Sequence, residues 1–87
     1  KAVHSIRDGS AEILEAEALE TSPLIGKTLK ELSLPTGITF GAIVRDKKVI
    51  IPRGETSIAI HDKVILFAKK GMIKRVEKLF AVRLDFF

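Results

Sequence analysis

The 87-residue chain has no cysteine, tryptophan or tyrosine, one methionine and three prolines. Without cysteine it can form neither a disulfide nor a thiolate metal site, so the fold must rest on its apolar core. That absence fits a reducing compartment such as the cytosol without requiring one. The five Phe are its only aromatic residues, a poor endowment for stacking nucleobases, so no nucleic-acid partner is expected. No apolar run is long enough to span a bilayer and no signal-peptide pattern opens the chain, so direct membrane insertion is not expected either. The chain also lacks an initiating Met: Lys1 runs straight into AVHSIRDG, as in a piece cut from a longer protein.

Motifs for catalysis or cofactor binding are missing as well. Gly37 and Gly41 are not followed by a helix start, which a phosphate-cradling loop needs, so this chain holds no nucleotide in the Rossmann manner. His4 and His61 lie far apart, each in a surface connector, with no ligand at metal-binding spacing. Ser22, Ser33 and Ser57 have no nucleophile-elbow context. Glu12, Glu15, Glu17 and Glu20 form an acidic group whose spacing turns most of them to solvent, and Asp62 reads as a turn residue rather than a general acid. No catalytic residue and no metal site is expected, and the chain does not read as an enzyme.

What is present is globular: 46% hydrophobic and 30% charged residues, with 15 Lys and Arg interleaved among 11 acids for a net charge of +4. The clearest signal runs from Ile38 to Glu55. Ile38, Phe40, Ala42 and Val44 alternate with Thr39, Gly41, Ile43 and Arg45, the period of a strand. Asp46, Lys47 and Lys48 form a turn. Val49, Ile50 and Ile51 are β-branched without polar alternation and read as a strand buried on both faces. Pro52 ends that ladder.

Around this hairpin, residues 1–10 read as a connector with a turn at Asp8-Gly9. Ala11 to Glu20 carries two signals: propensity favours a helix, whereas alternation sets Leu14, Ala16 and Ala18 on one face of a strand. Thr21 to Leu34 reads as a short helix, with Ser22-Pro23 or Thr28 and Glu31 as its start and Ile25, Leu29 and Leu32 as a buried stripe. Ile58 and Ile60 mark a short strand or arm. Lys63 to Lys69 reads as a central strand, apolar on both faces. Met72 to Phe80 reads as a helix with Ile73, Val76 and Phe80 inward. Residues 81–87 form a tail whose Leu84, Phe86 and Phe87 are candidates for packing on another domain. The expectation is a small α+β domain over residues 11–80. A subunit interface is a candidate use of Ile25, Leu29 and Leu32, because so small a domain has little interior.

Read in order, SPLIGKTLKEL, LPTGITFGAIVRD, VIIPRGET and HDKVILFA resemble the C-terminal ligand-binding domain of regulator-of-potassium-conductance proteins, the RCK-C or TrkA-C family. HSIRDGSAEILEAEAL and VEKLFAVRLDFF are similar to the branch that closes the cytoplasmic regulatory subunits of bacterial Trk potassium-uptake systems. The resemblance implies a mostly antiparallel or mixed sheet with two helices, and it makes AEILEAEAL the first strand. It implies a homodimer, set in a larger ring with the rest of a longer chain and contacting a membrane potassium-translocating subunit. The location would be cytoplasmic, peripheral to the inner face of the cell membrane. NAD(H) or ATP/ADP would belong to Rossmann-type domains outside this fragment, which itself would carry no cofactor.

Some members of that family bind cyclic di-AMP where two copies meet, and the positions here that match are Thr39, Phe40, Arg45, Ile51 and Pro52. Phe40 stands where a smaller aliphatic residue is usual, Thr39 is polar, and His61 stands where Gly commonly precedes the acid. The function expected is regulation of potassium transport by dimerisation and effector binding. The alternatives are an RCK-C-type sensing domain of another transporter or of a transcription regulator, and a small basic RNA-binding domain.

Overall fold

Five strands pair into one antiparallel sheet in a computed structural model that describes residues 3–6 and 11–81. They are β1 (Val3–Ile6), β2 (Ala11–Glu17), β3 (Ile38–Arg45), β4 (Lys48–Ile50) and β5 (Lys63–Lys69), and one helix follows, α1 (Ile73–Phe80). The order across the sheet is β1-β2-β5-β3-β4. β5 is thus central, as its two apolar faces suggest. Val3–Ile6, in the stretch read as a connector, is a strand at the sheet edge.

In β2, alternation overrides helix propensity. Leu14 and Ala16, with Ala18 just beyond the strand, are fully buried, while Glu15 and Glu17 are only partly so. A helix would scatter these three residues around its circumference, whereas a strand sends them to one side, where the core can use them. Glu12 shares that side and is buried, against the expectation of a solvent-facing acidic group.

The inner face of the sheet carries Leu14, Ala16, Val64, Leu66, Ala68, Ile38 and Ile43, and it is closed by Val76 and Phe80 of α1 together with Leu24 and Ile58. Ile25, Leu29 and Leu32 are partly buried against this same core, so the stripe serves the domain's own interior.

The expected helix over Thr21 to Leu34 does not form, and α1 is the one helix among the described residues rather than one of two. Its capping chemistry is nevertheless present. The N–H and hydroxyl of Thr28 donate to Glu31 Oε1 at 2.9 and 2.8 Å, and the Glu31 N–H donates back to Thr28 Oγ1 at 3.4 Å. The Thr28 N–H and hydroxyl hold the Glu31 carboxyl below its ordinary value, aided by Lys27 against slight burial. What stops the helix is competition for backbone donors. Leu29 N–H bonds Thr56 O at 2.8 Å and Lys30 N–H bonds Gly54 O at 2.7 Å, while Ile25 and Thr28 bridge Ile58 and Ser57. Gly26, at φ 80°, turns the chain out of the helical region just before them. Ser22 finds another use: its hydroxyl donates to Leu79 O at 2.8 Å, satisfying a carbonyl in the last turn of α1.

The hairpin also differs from expectation in one respect. Asp46 and Lys47 take φ of 49° and 66° in a two-residue loop of the type whose twist suits the strands. β4, however, is an edge strand, so Val49 and Ile51 are exposed by 66% and 70% rather than buried on both faces.

Because Phe80 is a wholly buried member of the core, Phe80→Ala is expected to lower unfolding free energy by about 3–5 kcal/mol. Urea denaturation measures it, and a loss under about 1 kcal/mol would show that α1 does not close the core.

Candidate functional site

Arg45 ends β3 on the inner side of the sheet. β3 runs antiparallel to β5 with Val44 beside Lys63, so one further step of the register brings Arg45 to Asp62. There the guanidinium makes a two-pronged bond: Nε donates to Asp62 Oδ1 at 2.9 Å and Nη2 to Oδ2 at 2.7 Å. Nη2 also donates to Ser57 O at 2.9 Å. Asp62 is 1% exposed and Arg45 38%, so the carboxylate is sealed while the guanidinium keeps an outward edge.

Asp62 also fixes its own loop. Its Oδ2 accepts the Ala59 N–H at 2.9 Å, its N–H bonds Ala59 O at 3.1 Å, and its carbonyl accepts the Ala18 N–H at 2.8 Å. His61 N–H returns to Ala18 O at 2.7 Å. His61 adopts φ 71°, the left-handed region that a Gly would enter more easily, and its Nδ1 lies 3.2 Å from Glu17 Oε2. The Asp62 carboxylate therefore joins the end of β3 to the 57–62 arm, while the main chain of His61 and Asp62 ties that arm to the chain leaving β2.

Burial by itself raises the Asp62 carboxyl, but the bond from Arg45, the Ala59 N–H and the Arg45 charge outweigh it and hold the group below its ordinary value. The bond to Asp62 raises Arg45 further above its usual range, against a smaller effect of burial and with help from the charges of Asp62 and Asp46.

The structure does not gather the expected effector residues at one spot within the chain. Arg45 stands at one end of β3 and Thr39 and Phe40 at the other, about 20 Å away along an extended strand. Thr39 is exposed on the open side of the sheet, while Phe40 is half-buried on the inner side against the core. Ile51 and Pro52 follow β4 at the sheet edge, Ile51 in solvent and Pro52 half-buried. Leu84, Phe86 and Phe87 lie outside the described residues. Among the described residues no group of three or more His, Asp or Glu side chains is placed to hold a metal ion, and no helix is long and apolar enough to cross a membrane.

Asp62 is the residue that reading by local motif misses, because beside His61 it looks like an ordinary turn former. Pairing the two long strands in antiparallel register would have brought it to Arg45.

This five-stranded sheet with its single covering helix has the architecture of an RCK domain. A solved structure entitled "Structure of RCK domain with cda" superposes with a TM-score of 0.67 at 22% identity, covering 77% of this chain and 96% of the other. The profile of the TrkA-C domain matches residues 13–81. The Trk system potassium uptake protein TrkA of Azorhizobium caulinodans is 51% identical over all 87 residues of this chain, which match 19% of that protein's length. Its counterpart in Halomonas elongata is 43% identical over 98% of this chain and 20% of its own length. The chain belongs to the TrkA-C domain family, and it spans about a fifth of the length of these relatives.

A carboxylate whose folded value is depressed stabilises the fold above its unfolded value and ceases to do so as pH falls through the folded value. Wild-type stability is therefore expected to drop below about pH 4. Asp62→Asn is expected to be about 1.5–3 kcal/mol less stable at neutral pH, and its stability should change less with acid. Urea midpoints across that range measure both. An Asn variant with the wild-type acid profile would show that the fork is not what titrates.

Proposed function

We propose that this chain is a non-enzymatic regulatory module of a Trk-type potassium-uptake system, pairing with a second copy and responding to a small anionic effector. Support for the transport role comes from TrkA relatives whose identity runs through the whole chain. What supports the effector reading is the Arg45 guanidinium, which is 38% exposed, with an exposed Ile51 and then Pro52 further along the neighbouring strand. A half-exposed guanidinium with unused outward donors stands at the hairpin whose other strand runs into an exposed Ile51. A planar cation and an apolar wall suit a phosphate-bearing ligand with flat bases, and cyclic di-AMP is the candidate of that chemistry. Because Thr39 and Phe40 lie far along β3, a ligand touching all five residues needs two copies to supply them.

In this reading the ring, the membrane-embedded potassium-translocating partner and any NAD(H) or ATP/ADP site belong to the whole protein. The location is the cytoplasmic side of the membrane. An effector acts here only if it binds one arrangement of the paired domains more tightly than another.

Calorimetric titration of the chain with cyclic di-AMP and with adenine nucleotides tests this. Saturable binding of cyclic di-AMP is expected, weakened at least tenfold in Ile51→Glu, a change in solvent that leaves the Asp62 fork intact. Wild-type protein that takes up none of these ligands would refute the effector reading and leave a pairing role alone.

A further inference from the structure

Charge is spread unevenly along this chain. Residues 69–81 hold five of the 15 Lys and Arg (Lys69, Lys70, Lys74, Arg75 and Lys78) and one of the 11 acids, Glu77, which leaves ten of each sign in the rest. The whole net charge of +4 therefore belongs to the end of β5, the turn after it and α1. Packing turns most of it outward. α1 buries Val76 and Phe80 in the core. With 3.6 residues per turn, Lys74 and Lys78 lie on the opposite side, one turn apart, with Arg75 beside them. All three are exposed, as is Lys70 in the turn that leads into the helix, whereas Glu77 is half-buried on the other flank. Lys69 is set apart, its stem lying over Gly37. The other segments packed beside α1 add no net charge: Lys27 and Lys30 stand against Glu20 and Glu31, and Arg53 against Glu55.

We propose that the outer face of α1 docks on an anionic lipid surface, touching headgroup phosphates without inserting. The choice of lipid rests on the reading of the chain as part of a membrane potassium-uptake system. Three features favour such a surface. Lys70, Lys74, Arg75 and Lys78 stand on the outside of the domain, along a convex helix, and a convex row of charges suits a broad plane of phosphates, whereas a small ligand needs a cleft. Three of these four are lysines, point charges on flexible stems, which follow a fluid array of phosphates. A fixed planar site favours arginine. Because the rest of the chain is balanced in charge, its long-range field turns this face toward a negative plane.

Nucleic acid is a poorer fit, because the one aromatic residue of α1, Phe80, is buried and leaves nothing on this face for a base to stack on. The apolar side of α1 is committed to the core, so the contact is electrostatic and reversible. Each cation held near an anionic leaflet strengthens binding roughly fivefold, and four together on the order of several hundredfold. Docked this way, the domain lays its helical side on the headgroups and points the open face of its sheet away from them.

Cosedimentation of the 87-residue chain with vesicles of mixed phosphatidylglycerol and phosphatidylcholine, and with vesicles of phosphatidylcholine alone, tests this. Circular dichroism confirms that each variant is folded. Binding is expected to the anionic vesicles only. It should vanish as KCl rises from about 0.1 M to about 1 M, which shortens the screening length from about 10 Å to about 3 Å. Lys74→Gln with Lys78→Gln, changes that keep helix propensity, is expected to weaken binding at least tenfold. Lys47→Gln with Lys48→Gln removes the same charge at the hairpin turn and is expected to weaken it less than about threefold. Equal losses from the two pairs would mean that net charge acts without the helix face, and would overturn the proposal. So would equal binding to phosphatidylcholine alone, or no vesicle binding at all. Binding of duplex DNA through Lys74 and Lys78 by a chain that ignores vesicles would assign the face to nucleic acid instead. None of these failures touches the transport role, which is supported by the relatives, or the effector reading, which calorimetry tests without lipid.

Discussion

The two-pronged bond between Arg45 and Asp62 is the constraint on which the arrangement of this domain turns. The residues from 51 to 62 have only two bridge pairings of their own, to Ile25 and Thr28. Yet Ile58, in the middle of that stretch, is a fully buried member of the core. A loop can bury an apolar residue only if its backbone groups are satisfied on the way. Asp62 does this by accepting the Ala59 N–H, while Arg45 covers the Ser57 carbonyl and neutralises the buried carboxylate. Without the fork, a sealed negative charge would stand alone beside the core, a costly state.

The same bond shapes what the site can do. An arginine at the end of an apolar strand looks free to hold an anion, but two of its nitrogens are already engaged. Only its outward donors remain, so it can supply charge and direction to a ligand at the surface without releasing the arm. Ile51 stands exposed at the sheet edge, where β4 has no further neighbour among the described residues.

Much of this was legible in the residues. Alternation in Ile38–Arg45 and Lys63–Lys69 marked the two long strands, and the amphipathic run before Phe80 marked α1. The strand at Ala11–Glu17 was visible only as the weaker of two signals, because Ala, Glu and Leu favour a helix locally and only the sheet gives Leu14 and Ala16 a core to enter. The segment from Thr21 to Leu34 misled for the opposite reason. Its capping pair is real, but the donors that would have propagated a helix are taken by Gly54 and Thr56, which lie over twenty residues away. Burial of Val49 to Ile51 was overestimated because β-branching reports a strand without saying how many neighbours it has. Arg45 stands out in the sequence as a charge at the end of an apolar strand, while its partner Asp62 is 17 residues away and becomes evident only once strand register is known.

A double-mutant cycle on Arg45→Ala and Asp62→Asn, read by urea denaturation at neutral pH, measures the coupling directly. If the fork joins hairpin to arm, the two losses fall short of additivity by about 1.5–3 kcal/mol, as expected for residues sharing a charged hydrogen-bonded contact. Losses that add to within about 0.5 kcal/mol would mean the two side chains act independently, and the arm would then owe its place to Ile58 and to its backbone bonds with Ala18 and the 25–30 segment.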